Sequence, residues 1–322
     1  MNQSTDNTIA KAGRPSHERV GYLLLFLSAL VWSFGGTIAR FIEQADPWTV
    51  VFWRSGWATL ALIAFMVWRD GWRGTIAMFR DMGFAGLIVA GCFAIAATCF
   101  VIALGYTTVA NVVLIQAGVP LIAALISWLV FRETVGVATW IAIVAVIGGV
   151  AFMVSDSFGA DPGSGGNSLS YIGDGLAVLI ACAFATATVI TRRYSHVRMT
   201  PANCLGVFIS TCVAATLAST FSVATLDMGL LFVFGALNLG FGLALFALGA
   251  RMIPAAFAAL IGTFEPVLAP VWVWLIHGEI PSDRTLIGGA VVVAALLTHI
   301  LLQFRRPLAP AKPGTTGIPS PP

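Results

Sequence analysis

The chain has 322 residues, of which 58% are hydrophobic and 10% charged, with a formal net charge of +3 and a mean hydropathy of +0.92. A soluble protein of this length needs many more charged side chains to cover its surface, so the composition excludes that class and predicts an integral membrane protein. Only Lys11 and Lys312 are lysines, and no basic run is present that would favour nucleic-acid binding.

Ten apolar stretches follow one another along the chain, each long enough for an α-helix to cross a hydrocarbon core of ~30 Å. They are flanked by a polar N-terminal segment at 1–19 and by a Pro/Gly-rich tail at 305–322, which we expect to be cytoplasmic, the tail being disordered. A Gly/Ser-rich loop at 155–172 is expected in the periplasm. The predicted spans are 20–39, 49–68, 82–104, 109–131, 135–154, 173–191, 203–225, 229–249, 253–276 and 286–304.

The basic residues predict the orientation of these spans. If the N-terminus is inside, the outer loops hold only Arg40 and Arg284, and Arg54 lies within the second span, which leaves 14 of the 17 basic residues (17 − 3) on the inner side. The positive-inside rule then places both termini in the cytoplasm. We expect a multi-pass protein of a bacterial-type inner (plasma) membrane.

The two halves of the chain, 20–154 and 173–304, share spacings that indicate an internal repeat. Five spans per half is an odd number, so the second copy enters the membrane from the other side. The predicted fold is therefore an all-α integral membrane protein with ten transmembrane helices as two inverted five-helix repeats, a plan common among secondary carriers. The matching spacings are Pro120, Trp128 and Glu133 with Pro266, Trp274 and Glu279, and Gly21, Trp32 and Arg40 with Gly173, Phe184 and Arg192.

This layout, with Pro120…Glu133 and Pro266…Glu279 closing the fourth and ninth helices, resembles the EamA-type carriers of the drug/metabolite transporter superfamily over about residues 20 to 304. The resemblance implies export or exchange of amino acids or similar metabolites. It also implies a site lined by helices of both halves and no ATPase domain.

Two ionisable residues lie deep in the predicted spans, where charged groups are costly. Glu265 is about twelve residues into the ninth span, roughly 18 Å from its inner end. It is expected to carry a proton and contact substrate, or else to be protonated and donate to a carbonyl left free by Pro266. Arg54 is about six residues, or roughly 9 Å, into the second span. It is expected to bind a substrate carboxylate, or else to pair within the bundle or extend to the outer headgroups.

Neutral polar residues and one tryptophan complete the predicted substrate site. Asn111, Gln116 and Asn238 could orient a zwitterion by hydrogen bonds, although such amides can also simply join helices. Trp32, near the middle of the first span, is expected to form an aromatic wall of the cavity.

Prolines and glutamates mark the fourth and ninth helices. Pro120 and Pro266 are expected to kink these helices at equivalent positions and to act as hinges. Glu133 and Glu279 are expected to cap the helix ends or to pair locally, with a gating role as the second interpretation.

These observations predict a secondary transporter that exports or exchanges a small metabolite, an amino acid or a related amphipathic compound, by alternating access between the repeats. Its expected partners are the small-molecule substrate, the lipid bilayer and a coupling proton, with no cofactor and no ATPase subunit. The alternatives are a passive channel or an intramembrane enzyme acting on a small apolar substrate. No HExxH, GxSxG, Walker A or metal-ligand cysteine spacing is present, so no catalytic residue or metal site is predicted.

Overall fold

The computed structural model describes residues 14–43, 46–132, 136–158, 169–253 and 255–304. The predicted disordered tail, most of the predicted N-terminal segment, most of the 155–172 loop and Glu133 lie outside these ranges. The first helix begins at Arg14, so residues 14–19 of the predicted polar segment are helical.

The described part of the chain contains nine helices that are long and apolar enough to cross a membrane, and a bent pair that makes a tenth span. This architecture confirms the predicted all-α fold of ten spans. We number the spans α1 to α10 and call the side on which α1 begins the amino-terminal face. They are α1 (Arg14–Ser33 and Gly35–Phe41), α2 (Pro47–Asp81), α3 (Gly83–Leu104), α4 (Val109–Gln116 and Val119–Phe131), α5 (Val137–Phe158), α6 (Ser170–Arg193), α7 (Thr200–Leu217), α8 (Thr225–Gly249), α9 (Ala255–Gly262 and Phe264–His277) and α10 (Asp283–Phe304).

Two helix ends differ from the sequence prediction. The span predicted at 49–68 continues as helix to Asp81, but Gly71 has a non-helical backbone with φ +71° and divides α2 into a membrane-length part and a short second segment. The span predicted at 203–225 ends at Leu217, because the chain becomes extended at Ala218. The apolar pattern continues past this point, so composition alone does not mark the end.

Asp46 explains where α2 begins and why α7 stops. Its carboxylate accepts from Trp48 N at 3.0 Å and Thr49 Oγ1 at 2.9 Å, which caps the first turn of α2. It also accepts from Ser219 N and Oγ, both at 2.8 Å, just beyond α7. Burial raises the pKa of the Asp46 carboxyl, but the hydrogen bonds from Ser219, Thr49 and Trp48 outweigh burial and hold that pKa below its usual value.

The main helix contacts join one repeat to the other. Helices α1 to α5 of the first repeat correspond in order to α6 to α10 of the second. The pairs α2–α7, α4–α9 and α5–α10 therefore each join two equivalent helices. The pair α3–α6 is equivalent to the pair α8–α1, and both are formed. In the α5–α10 pair, a methyl group on Gly149 would lie 2.9 Å from the Gly288 carbonyl oxygen, so only glycine permits the observed approach. The two five-helix repeats therefore interlock rather than form separate bundles.

Besides α2, which Gly71 divides, four of the described spans are interrupted or irregular. α1 is interrupted at Phe34, and α4 bends by 42° between its two segments. α9 is interrupted at Thr263, and α8 contains a nine-residue π-helical segment, Val233–Phe241. The interruption of α4 at Gly118 lies two residues before Pro120, and that of α9 at Thr263 lies three residues before Pro266.

Candidate functional site

Arg54 is buried in α2 and lacks an acidic partner in the described part of the chain. Its Nη1 donates to the Ala97 carbonyl at 3.2 Å, and its guanidinium lies 4.3 Å from the centre of the Phe234 ring and 5.2 Å from that of Phe100. Its Nε has no hydrogen-bond acceptor there. Aromatic faces and one carbonyl offset only part of the cost of a buried cation. The Arg54 side chain can therefore bind an anionic group.

The π-helical segment of α8 places two polar contacts one turn apart. Phe234 lies on Arg54, and Asn238 Nδ2 donates to the carbonyl of Val31, close to the interruption of α1. The Asn238 amide also faces Gly35, where a methyl group would lie 3.1 Å from Oδ1. π-helical turns often occur at functional sites because they present side chains that an α-helix would not align.

Trp32 of α1 contacts α8 at Gly242, one turn beyond Asn238. Its indole packs on Gly242 and lies 5.5 Å from the Phe246 ring, and its Nε1 has no acceptor in the described part of the chain. A small apolar cavity of about 20 Å³ lies beside it, between α1, α8 and the first segment of α9. Three predicted site residues, Arg54, Asn238 and Trp32, thus lie along α8, with contacts at Phe234, at Asn238 itself and at Gly242.

Glu265 lies in the first turn of the second segment of α9, directly after the interruption at Thr263. No hydrogen bond or ion pair of its carboxyl is found among the described residues. The structural interpretation, in which a protonated Glu265 donates to a carbonyl freed by Pro266, stays a prediction. The amino end of a helix attracts negative charge, while apolar surroundings oppose it, so this position can hold the carboxyl in either protonation state.

The remaining two amides differ in their surroundings. Gln116 ends the first segment of α4, and its Nε2 donates to the Val112 carbonyl at 3.0 Å, while no donor to its side-chain oxygen is found among the described residues. Asn111 donates to Asp174 Oδ1 at 2.9 Å and accepts from Thr285 Oγ1 at 2.6 Å. Because this amide joins α4, α6 and α10, its geometry favours the helix-joining interpretation.

Two features of this region were not expected from the sequence. Asp174 is fully buried and accepts from Thr107 Oγ1 at 2.7 Å, yet it lies in the predicted span 173–191 and was not identified. An acid flanked by Gly173 and Gly175 near the start of an apolar stretch was the available signal. Glu279 does not pair locally, because its Oε2 accepts from Arg40 Nε at 2.9 Å, 239 residues away.

Metal chemistry has no candidate centre in the described ranges, since they contain no cluster of three His, Cys, Asp or Glu side chains. The buried cation of α2 contacts α3 and α8, Asn238 and Gly242 of α8 contact α1, and α1 packs against the discontinuous helix α9, which packs against the discontinuous helix α4. Such an arrangement suits a small solute with both polar and apolar parts.

Comparison with known proteins bears on the family and the fold. A family model described as the EamA-like transporter family matches the chain twice, over residues 19–155 and 171–301. Among solved structures, one titled only as the crystal structure of a protein is 20% identical, covers 91% of this chain and 99% of its own, and superposes with a TM-score of 0.58. That similarity concerns the fold alone. No curated protein matches the chain.

Proposed function

The chain belongs to the EamA-like transporter family, which makes it a small-molecule transporter of the drug/metabolite type, and we propose that it is a secondary carrier that exports or exchanges an amino acid or a related amphipathic metabolite. Transport proceeds by alternating access between the two inverted repeats. The carrier lies in a bacterial-type inner membrane with its amino-terminal face in the cytoplasm, consistent with the distribution of its basic residues.

The observation that carries the substrate class is the buried Arg54 without a carboxylate partner in the described part of the chain. A substrate carboxylate supplies the missing counter-ion and can accept from the Nε that lacks a partner. The neighbouring Asn238 amide and the Trp32 ring then bind the polar and apolar parts of the same molecule. An amino acid combines these features in a small volume.

Glu265 and the helix interruptions complete the proposed mechanism. The Glu265 carboxyl exchanges a proton for the substrate ammonium group as the cycle proceeds, and Gln116 contributes a hydrogen bond from the equivalent break in α4. Asn111 acts in this scheme by holding α4 against α6 and α10, and Pro120 and Pro266 act as the hinges.

The test compares metabolite profiles of medium and cytoplasm from cells that express equal amounts of wild type, Arg54→Gln or an exposed-arginine control, Arg251→Gln. We expect wild type and the control to enrich an amino-acid class in the medium, and Arg54→Gln to lower that enrichment about tenfold or more, the effect of losing a charge-assisted hydrogen-bonded pair. If wild type matches empty-vector cells for amino acids and related amphipathic compounds, the proposed substrate class is wrong.

Proton coupling is tested separately with the compound so identified, in proteoliposomes. Glu265→Gln is expected to retain exchange of labelled for unlabelled substrate and to lose net transport driven by a pH gradient, because its amide cannot release a proton. Net proton-driven transport at the wild-type rate in Glu265→Gln would exclude this residue as the coupling site.

A further inference from the structure

Arg40 and Glu279 form an ion pair between the two repeats on the face opposite the amino-terminal one. Arg40 lies in the last turn of α1, and Glu279 follows the end of α9 by two residues, with 2.9 Å between Nε and Oε2. We propose that this pair is the latch of the outer gate: it closes the substrate path on this face and opens once in each transport cycle. The inference rests on the carrier function proposed above.

The same two side chains also hold the turn between α3 and α4. Arg40 donates from Nη1 to the Leu104 carbonyl at 2.8 Å and from Nη2 to the Thr107 carbonyl at 3.1 Å. Glu279 Oε1 accepts from Val109 N at 2.9 Å. A cation on the last carbonyls of α3 and a carboxylate on the first amide of α4 both match the sign of the helix dipoles. Opening the pair therefore releases the ends of four helices together.

Between the ion pair and the middle of the membrane, hydrogen bonds connect α1 to α9. Thr37 lies one turn below Arg40, is 3% exposed, and its Oγ1 has no partner in the described part of the chain. Thr37 is therefore a buried position one turn from the ion pair, and its accessibility can report on the outer end of α1. In the described part of the chain, three polar contacts join α1 to α9 or to the residues just after it: Trp272 Nε1 to Ser33 Oγ at 3.0 Å, His277 Nε2 to the Thr37 carbonyl at 3.1 Å, and Arg40 to Glu279.

The exposure of the pair distinguishes a latch from a permanent link. The Arg40 and Glu279 side chains are 31% and 20% exposed, so water can solvate both ions as soon as they separate. Asp174, which is fully buried with Thr107 and Asn111, has no such access and would remain desolvated if its bonds broke. The outer surface therefore combines a contact that can open with one that holds the helices together.

The test measures the labelling rate of a cysteine placed beneath the latch. Thr37→Cys is introduced into the full chain, the protein is purified in lipid nanodiscs, and its reaction with N-ethylmaleimide is compared with that of the parent to subtract the native cysteines. Adding Arg40→Gln or Glu279→Gln is expected to raise the labelling rate about tenfold. The closed state loses a charge-assisted hydrogen bond, so the open state, in which the cysteine reacts, becomes about ten times more populated.

Two control variants make the result specific. Arg284→Gln removes the same charge on the same face, where Arg284 contacts the Ser155 carbonyl, and is expected to leave the rate unchanged. Arg40→Lys keeps the charge but not the forked donors, and is expected to be intermediate. An unchanged rate in Arg40→Gln and Glu279→Gln, or an equal rise in Arg284→Gln, overturns the proposal. Since labelling needs no substrate, this result is independent of the transport assay.

Discussion

Arg54 illustrates how one residue can be costly for folding and retained for function. Its guanidinium is surrounded by two phenylalanine rings and one carbonyl, with no carboxylate nearby in the described part of the chain. Contacts of this kind compensate a buried cation only in part, and replacing buried charges with apolar side chains often stabilises a protein. The environment of Arg54 is therefore better explained by a bound anion than by the stability of the empty carrier.

Replacing Arg54 with methionine, a side chain of similar length that packs well against rings, tests this idea directly. We expect Arg54→Met to stabilise the substrate-free protein by roughly 1–4 kcal/mol, because an uncompensated buried charge is removed. Transport should be lost at the same time. Thermal unfolding in detergent, measured without substrate and beside the transport assay, gives both quantities. A marked fall in Tm would mean that Arg54 supports the fold instead.

Among the elements, the close approach of the π-helical segment of α8 to α2 depends on the absence of a side chain at Gly235. A methyl group there would overlap the Arg54 carbonyl oxygen and lie 2.8 Å from Trp57 Cβ, so α8 would have to move away from α2. Phe234, which covers the Arg54 guanidinium, would move with it. The geometry of the site is thus fixed partly by a residue that has no functional group.

We expect Gly235→Ala to destabilise the protein by about 1–3 kcal/mol, the usual cost of overpacking, and to weaken substrate binding through the displacement of Phe234. Gly229→Ala is the matched control, since Gly229 lies in the same helix with open space around it and should gain about 0.5–1 kcal/mol. Thermal unfolding of the two variants checks the prediction. Equal values for both would show that the α2–α8 contact tolerates a methyl group.

The sequence predicts some of these elements and not others for identifiable reasons. Membrane-length apolar stretches predict the spans because hydrocarbon thickness fixes helix length. The π-helical segment is not predictable in this way, since α-helical and π-helical turns contain the same types of residue. The end of α7 at Leu217 is set by hydrogen bonds to Asp46, 173 residues before Ser219, and no local pattern records that contact.

At the scale of the whole molecule, the odd number of spans per half was enough to predict an inverted repeat. The helix pairing follows the same symmetry, because α3–α6 and α1–α8 are exchanged when the repeats are exchanged. Contacts specific to one repeat were not predictable. Arg40–Glu279 joins residues 239 positions apart, and Asn111 meets Asp174 and Thr285 from two other helices. The candidate site could thus be proposed residue by residue, but not its division into substrate contacts and helix-joining contacts.

The repeat symmetry makes a last prediction about the hinges. Pro120 and Pro266 follow the interruptions of α4 and α9 and, having no amide hydrogen, leave the carbonyls four residues earlier, at Gln116 and Gly262, without a helical donor. Alanine at either position can restore that bond, worth about 1 kcal/mol, and so favour a straighter helix.

We therefore expect Pro120→Ala and Pro266→Ala to have a Tm equal to that of the wild type or higher. Each should also lower the transport rate several-fold, because about 1 kcal/mol changes the equilibrium between the closed and open helix conformations by that factor. Because the prolines occupy equivalent positions in an alternating mechanism, the two losses should be similar in size. Initial transport rates and thermal unfolding of both variants check this. Full transport in one variant and loss in the other would indicate that only one of the two helices moves. That result would contradict a mechanism in which the two repeats take equivalent parts.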